Sequence, residues 1–99
     1  MITGPQIRAA RALLGIDQKS LARMSGLAVP TIQRMEASNS FVGGMVDSLT
    51  RVVAAIEAGG LELIAEGATS IGEGRGVRLR QRAPARAEDP VAPADQGAQ

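Results

Sequence analysis

A chain of 99 residues, 44% of them hydrophobic and only Phe41 aromatic, has room for one small core, which Ala, Leu, Ile, Val and Met must build. It has neither Cys nor His, which excludes disulfides, thiolate metal sites and Ser-His or Cys-His nucleophiles; no metal, no cofactor and no enzymatic reaction are expected. The net charge of +1 is unevenly spread, because Met1 to Ile56 holds six basic residues against three acidic ones.

The first predicted helix opens at Thr3-Gly4-Pro5-Gln6, a capping box with proline near the first helical position. Ile7, Ala10 and Leu14 recur at helical spacing, and Gly15 ends the run. Asp17 is placed to cap a second helix, Gln18 to Ser25, where its charge suits the positive helix end. A third helix is expected from Val29 to Ala37, with Pro30 tolerated in its first turn. Gly43-Gly44 breaks the chain before a fourth, Met45 to Ala58. There Val46, Leu49, Val53 and Ile56 form an apolar stripe, and Gly59-Gly60 stops the helix.

After Gly60 the period changes from helical to alternating. Leu61, Leu63 and Ala65 share one face, and Val77 and Leu79 alternate with Arg78 and Arg80. The pattern predicts two half-buried strands, with Glu62 and Glu66 opposite Arg78 and Arg80 across a ladder. A lone hairpin is marginal in water, so this one must pack on the helices or pair with a second copy. Gly72-Glu73-Gly74-Arg75-Gly76 lacks the downstream helix and Lys-Ser/Thr of a phosphate loop and reads as the hairpin's connection. The aperiodic remainder, rich in Pro, Ala and acidic residues, is expected to be a disordered tail. The expected domains are therefore residues 1–60, a helical unit; 61–81, a β-hairpin extension; and 82–99, the tail. No basic segment followed by an apolar run opens the chain, and no apolar stretch approaches the roughly 20 residues that span a bilayer. A cytoplasmic protein without membrane contact is the expectation.

The most informative stretch is Gln18 to Glu36. Ala22 is small where two helices cross, and Gly26 can take the left-handed conformation that ends a helix without steric cost. Leu21, Leu27, Ile32 and Met35 then fall inward, while Val29, Pro30, Gln33 and Arg34 face outward. A helix pair joined by a short turn is the helix-turn-helix unit, whose second helix reads base edges while the first crosses the backbone.

In these residues the chain resembles the Xre family, which includes the lambda-type phage repressors and Cro. The resemblance runs from Thr3 to Ile56. It rests on Ile7-Arg8-Ala9-Ala10-Arg11-Ala12-Leu13-Leu14-Gly15, Gln18 with Leu21-Ala22, Gly26, and Pro30-Thr31-Ile32-Gln33-Arg34-Met35-Glu36. It implies a mainly α, four-helix lambda-repressor-like bundle. It also implies sequence-specific binding to double-stranded DNA, usually by a homodimer. By the same resemblance Gln18 binds a backbone phosphate, the outward residues of the third helix meet the bases, and Arg11 and Glu36 form a structural ion pair. Two positions depart from the pattern. The third helix has Ala28 where Ser or Thr usually caps, and the loop after Glu36 reads Ala37-Ser38-Asn39-Ser40-Phe41 where basic residues are common.

The expected DNA-contacting set is Gln18, Ala28, Val29, Pro30, Thr31, Gln33, Arg34, Asn39 and Ser40. Arg34 can bond bidentately to guanine and Gln33 to adenine or to phosphate, the alternative for both being a solvated helix face. Ala28 and Val29 offer only apolar contact, for example to a thymine methyl. Thr31 either bonds a phosphate or sits in the first turn, and Asn39 and Ser40 can donate hydrogen bonds to the backbone. Arg75, Arg78, Arg80, Arg82 and Arg86 form either a second DNA contact or a solvated segment paired with the acidic tail. Two functions follow: a transcriptional regulator, expected to repress by occupancy, or a protein-interaction module on the same fold, such as an antitoxin or bridging coactivator that binds its partner through the hairpin and tail.

Overall fold

The computed structural model describes residues 2–39 and 46–80, and within them four helices form one bundle. They are α1 (Gly4–Leu14), α2 (Gln18–Ser25), α3 (Val29–Ala37) and α4 (Val46–Ala58). Their ends follow the local chemistry of the sequence. The Thr3 hydroxyl accepts from the Gln6 N–H at 3.2 Å, and the Gln6 carboxamide accepts from the Thr3 N–H at 2.9 Å, completing the capping box. Asp17 caps α2 by accepting from the Ser20 N–H at 2.8 Å, which holds its carboxyl below the usual range. Gly15 and Gly26 close α1 and α2 at φ 70° and 73°, in the left-handed region as expected.

α3 packs against α1 and α2, and α4 packs against α2. Ile7, Leu21, Ile32, Val52 and Ile56 are fully buried, each contributing about 1.5–3 kcal/mol through removal from water. Ala22 is buried at the crossing, as its size requires. Ser25, also buried, satisfies its hydroxyl by donating to the Leu21 carbonyl at 2.8 Å. The α1–α3 approach depends on Gly4. A β-carbon there would run into the Ser38 carbonyl and lie 2.8 Å from that of Glu36 and 3.0 Å from that of Met35.

Two expectations about packing need correction. Val46 does not join the stripe of α4: it is 77% exposed, and the buried face runs through Val52, Ala55 and Ile56, with Leu49 and Val53 partly covered. The true stripe begins at Leu49, with Val52 and Val53 on the following turn, so the first turn of α4 extends past the core. Val29 is half-buried against the core rather than outward.

The β-hairpin extension is also corrected. Residues 61–80 contain no strand among the described residues. Leu61 and Leu63 do pack on the core, and the Gln6 amide donates to the Ile64 carbonyl at 3.1 Å, so the first half is pinned to α1. The second half is not paired with it. The Glu62 carboxylate turns back to accept from the Ile71 and Gly72 N–H groups, each at 2.8 Å, and from the Ser70 hydroxyl at 3.0 Å. These bonds hold its carboxyl below the usual range. Arg78, instead of facing a glutamate across a ladder, donates to the Ala68 carbonyl at 2.6 Å. A short two-stranded ribbon gains little in water, and a glycine-rich connection costs much to order, so these local side-chain bonds prevail. The expected tail, residues 82–99, lies outside the described residues, as do the Gly43-Gly44 break and Phe41.

Candidate nucleic-acid interface

α3 is anchored on one side and open on the other. Ile32, Met35 and Glu36 are buried, while Pro30, Gln33 and Arg34 are exposed on the opposite side. Ala28 is exposed and Thr31 half-buried at the start of the helix, and Asn39 is exposed just beyond its end. Val29 faces the core, as noted, and Ser40 lies outside the described residues. Lys19 and Arg23 are exposed one helical turn apart on α2, adding positive charge that the expected contact set omitted.

The start of α3 shows how the chain manages without a capping side chain. Ala28 makes no side-chain cap bond. Pro30, at the second helical position, has no N–H to satisfy, and the Thr31 N–H reaches the Ala28 carbonyl at 3.0 Å. Proline and this tight bond therefore remove two of the donors that a Ser or Thr would normally serve.

Glu36 joins three helices. Its side chain is 4% exposed and receives a bidentate pair from Arg11, Nε to Oε2 at 2.6 Å and Nη2 to Oε1 at 2.8 Å. Gln18 Nε2 adds a third bond to Oε1 at 3.0 Å. Burial works against the carboxylate, but the bonds from Arg11 and Gln18 and the nearby charges of Arg11 and Arg8 outweigh it, so the group stays ionised below its ordinary value of 4.5. The same pairing raises the Arg11 guanidinium. Arg8, absent from the expected site residues, donates to the Glu36 main-chain carbonyl. Its i, i+3 relation to Arg11 was the available signal.

The Gln18 carboxamide is thus held by Glu36, which sets its orientation. One of its two amide hydrogens is used; the other has no acceptor among the described residues. On the remaining side of the helix pair, Arg51 of α4 bonds Asp47 at 2.9 Å and lies 3.3 Å from where a β-carbon of Gly26 would be. Among the described residues no group of acidic side chains could hold a metal ion, and no helix is long and apolar enough to cross a membrane.

Residues 7–40 match the family model described as helix-turn-helix, which takes in α1 from Ile7 onward, all of α2 and α3, and therefore every described residue of the interface. No curated protein matches the chain, and no solved structure does.

Proposed function

We propose that this chain is a DNA-binding, sequence-specific transcriptional regulator of the Xre type, a reading supported by the helix-turn-helix match over residues 7–40. It acts in the cytoplasm as a homodimer and represses by occupying a two-fold symmetric site. The supporting observation is the division of α3: Ile32, Met35 and Glu36 fix one face while Gln33 and Arg34 stand clear on the other. In this reading α3 enters the major groove. Arg34 bonds guanine O6 and N7, and Gln33 bonds adenine or a phosphate. The second amide hydrogen of Gln18, aimed by Glu36, meets a backbone phosphate, and Thr31, Asn39 and Ser40 set the register. Ala28 and Pro30 supply apolar contact at the groove floor.

The test is a fluorescence titration against genomic fragments at several salt concentrations, with Arg34→Ala beside the parent. The parent should prefer a subset of fragments, and Arg34→Ala should lose about tenfold or more of that preference while retaining salt-sensitive binding. Binding to no fragment at any salt refutes the regulator. That result would favour the interaction module, an antitoxin or bridging coactivator, for which the exposed Ile71, Val77 and Leu79 are the supporting feature.

A further inference from the structure

Between Ile2, α4 and the segment that follows it, with no α3 residue in its walls, lies a cavity of about 430 Å³. Its walls are apolar at Ile2, Leu49, Val53 and Leu63, with Gln6 and Glu57 as polar members. Leu63, Ile64 and Ala65 line it from the segment after α4, and their N–H groups have no acceptor among the described residues. An apolar groove flanked by open main-chain donors fits an extended peptide, which would pair its backbone along the edge and insert alternate side chains.

The chain carries such a peptide. Val77 and Leu79 are 79% and 76% exposed, alternate with Arg78 and Arg80, and make no main-chain hydrogen bond among the described residues. In its own subunit this segment meets the groove only at Ala65, whose carbonyl accepts from Arg78 Nη2 at 3.5 Å. Glu62 holds Ser70, Ile71 and Gly72, and Arg78 is tied to the Ala68 carbonyl, so every residue from 65 to 80 remains exposed.

We propose that Val77–Arg80 of one copy lies along Leu61–Ala65 of a second, Val77 and Leu79 filling the groove and an arginine of the segment meeting Glu57 at its rim. A two-fold axis makes the exchange reciprocal, giving each subunit one donated and one received strand. Charge selects the occupant, since the groove offers a glutamate and the segment two arginines. The contact is small, so dimerisation depends on concentration. This inference rests on the two-fold reading above and supplies its contact surface, leaving α3 uncovered.

Sedimentation velocity of the full chain without DNA tests it, with helical circular dichroism as the check on folding. The parent should dimerise over the micromolar range. Val77→Glu and Leu79→Glu should each weaken the dimer about tenfold or more, and Glu57→Arg should weaken it too. Ile71→Glu, at a site equally exposed but outside the donated segment, should leave it unchanged. A parent monomeric throughout, or Val77→Glu and Leu79→Glu variants that dimerise normally, overturns the proposal. So does a Leu79→Glu variant that loses DNA binding with its dimer intact, since the segment would then be a DNA arm. Failure of the dimer with fragment preference retained leaves the regulator standing; loss of preference in an intact dimer does the reverse.

Discussion

Removing either partner of the Arg11–Glu36 pair should destabilise the fold, and by different amounts. Arg11→Ala leaves a carboxylate whose side chain is 4% exposed with Gln18 and the more distant Arg8 as its remaining support. Stranding a buried charge costs about 3–5 kcal/mol, a large share of the roughly 5–15 kcal/mol available to a domain. Glu36→Gln strands Arg11 instead, but that side chain is 22% exposed and can turn its guanidinium to water, so the cost should lie near the lower end of that range. Urea unfolding followed by helical circular dichroism measures both. The pH dependence separates the mechanism from simple loss of packing. Without Arg11, the largest support against burial is gone and the Glu36 carboxyl should move up, so between its ordinary value of 4.5 and the raised one the folded state holds a proton that the unfolded state has already released. Stability of Arg11→Ala should therefore rise as pH falls from 7 toward 5, while the parent stays flat. If both single variants unfold within about 0.5 kcal/mol of the parent, the size expected of an inconsequential surface change, the pair does not organise the bundle as argued.

Three further outcomes follow from the same geometry. In the parent, Glu36, Asp17 and Glu62 all have depressed carboxyl values, so their contribution is full above about pH 5 and is lost as pH falls through the folded values; Tm measured from pH 7 to 3 should drop only in the acid limb, and less so for Glu36→Gln. Gly4→Ala should cost about 1–3 kcal/mol or more in urea unfolding, because the added carbon meets three rigid main-chain carbonyls; an unchanged Tm would show that α1 and α3 slide apart freely. Ala28→Ser should stabilise by only about 0.5 kcal/mol, at the low end for a new cap, since Pro30 and Thr31 have already removed the donors a serine would serve; a gain of about 2 kcal/mol would contradict that account.

What was legible in the sequence was legible where one local rule decided the outcome. Thr3 with Gln6, Asp17, Gly15 and Gly26 each act through neighbours within a few residues, and each helix end lies where those residues place it. The inward set Leu21, Ile32 and Met35 came from helical spacing and is buried. Val46 was misjudged because periodicity gives the direction of a face but not where the neighbouring helix stops covering it. The hairpin failed for a different reason. Alternation at 61–65 and 77–80 is genuine, but pairing requires a competition between ladder bonds and side-chain bonds that spacing does not contain, and Glu62 decides it. Gly4 was read only as part of a cap, because its close approach to the end of α3 joins residues more than thirty positions apart.

The position of Glu36 gives the bundle's stability a consequence for the interface. The carboxylate sits on the buried face of α3, one helical turn along from Gln33, and receives Gln18 from α2 and Arg11 from α1. The same group thus fixes the helix proposed to face the bases and orients the amide proposed to reach a phosphate. A variant that lost only stability would bind DNA normally at temperatures where it is fully folded. Glu36→Gln should not, because Gln18 would face a neutral carboxamide that competes with it as a donor. The expected signature is weaker affinity with fragment preference preserved, since the proposed function gives register to Gln18 and sequence to Arg34. Affinity equal to the parent's in a fully folded Glu36→Gln would confine the Arg11–Glu36–Gln18 cluster to a structural role.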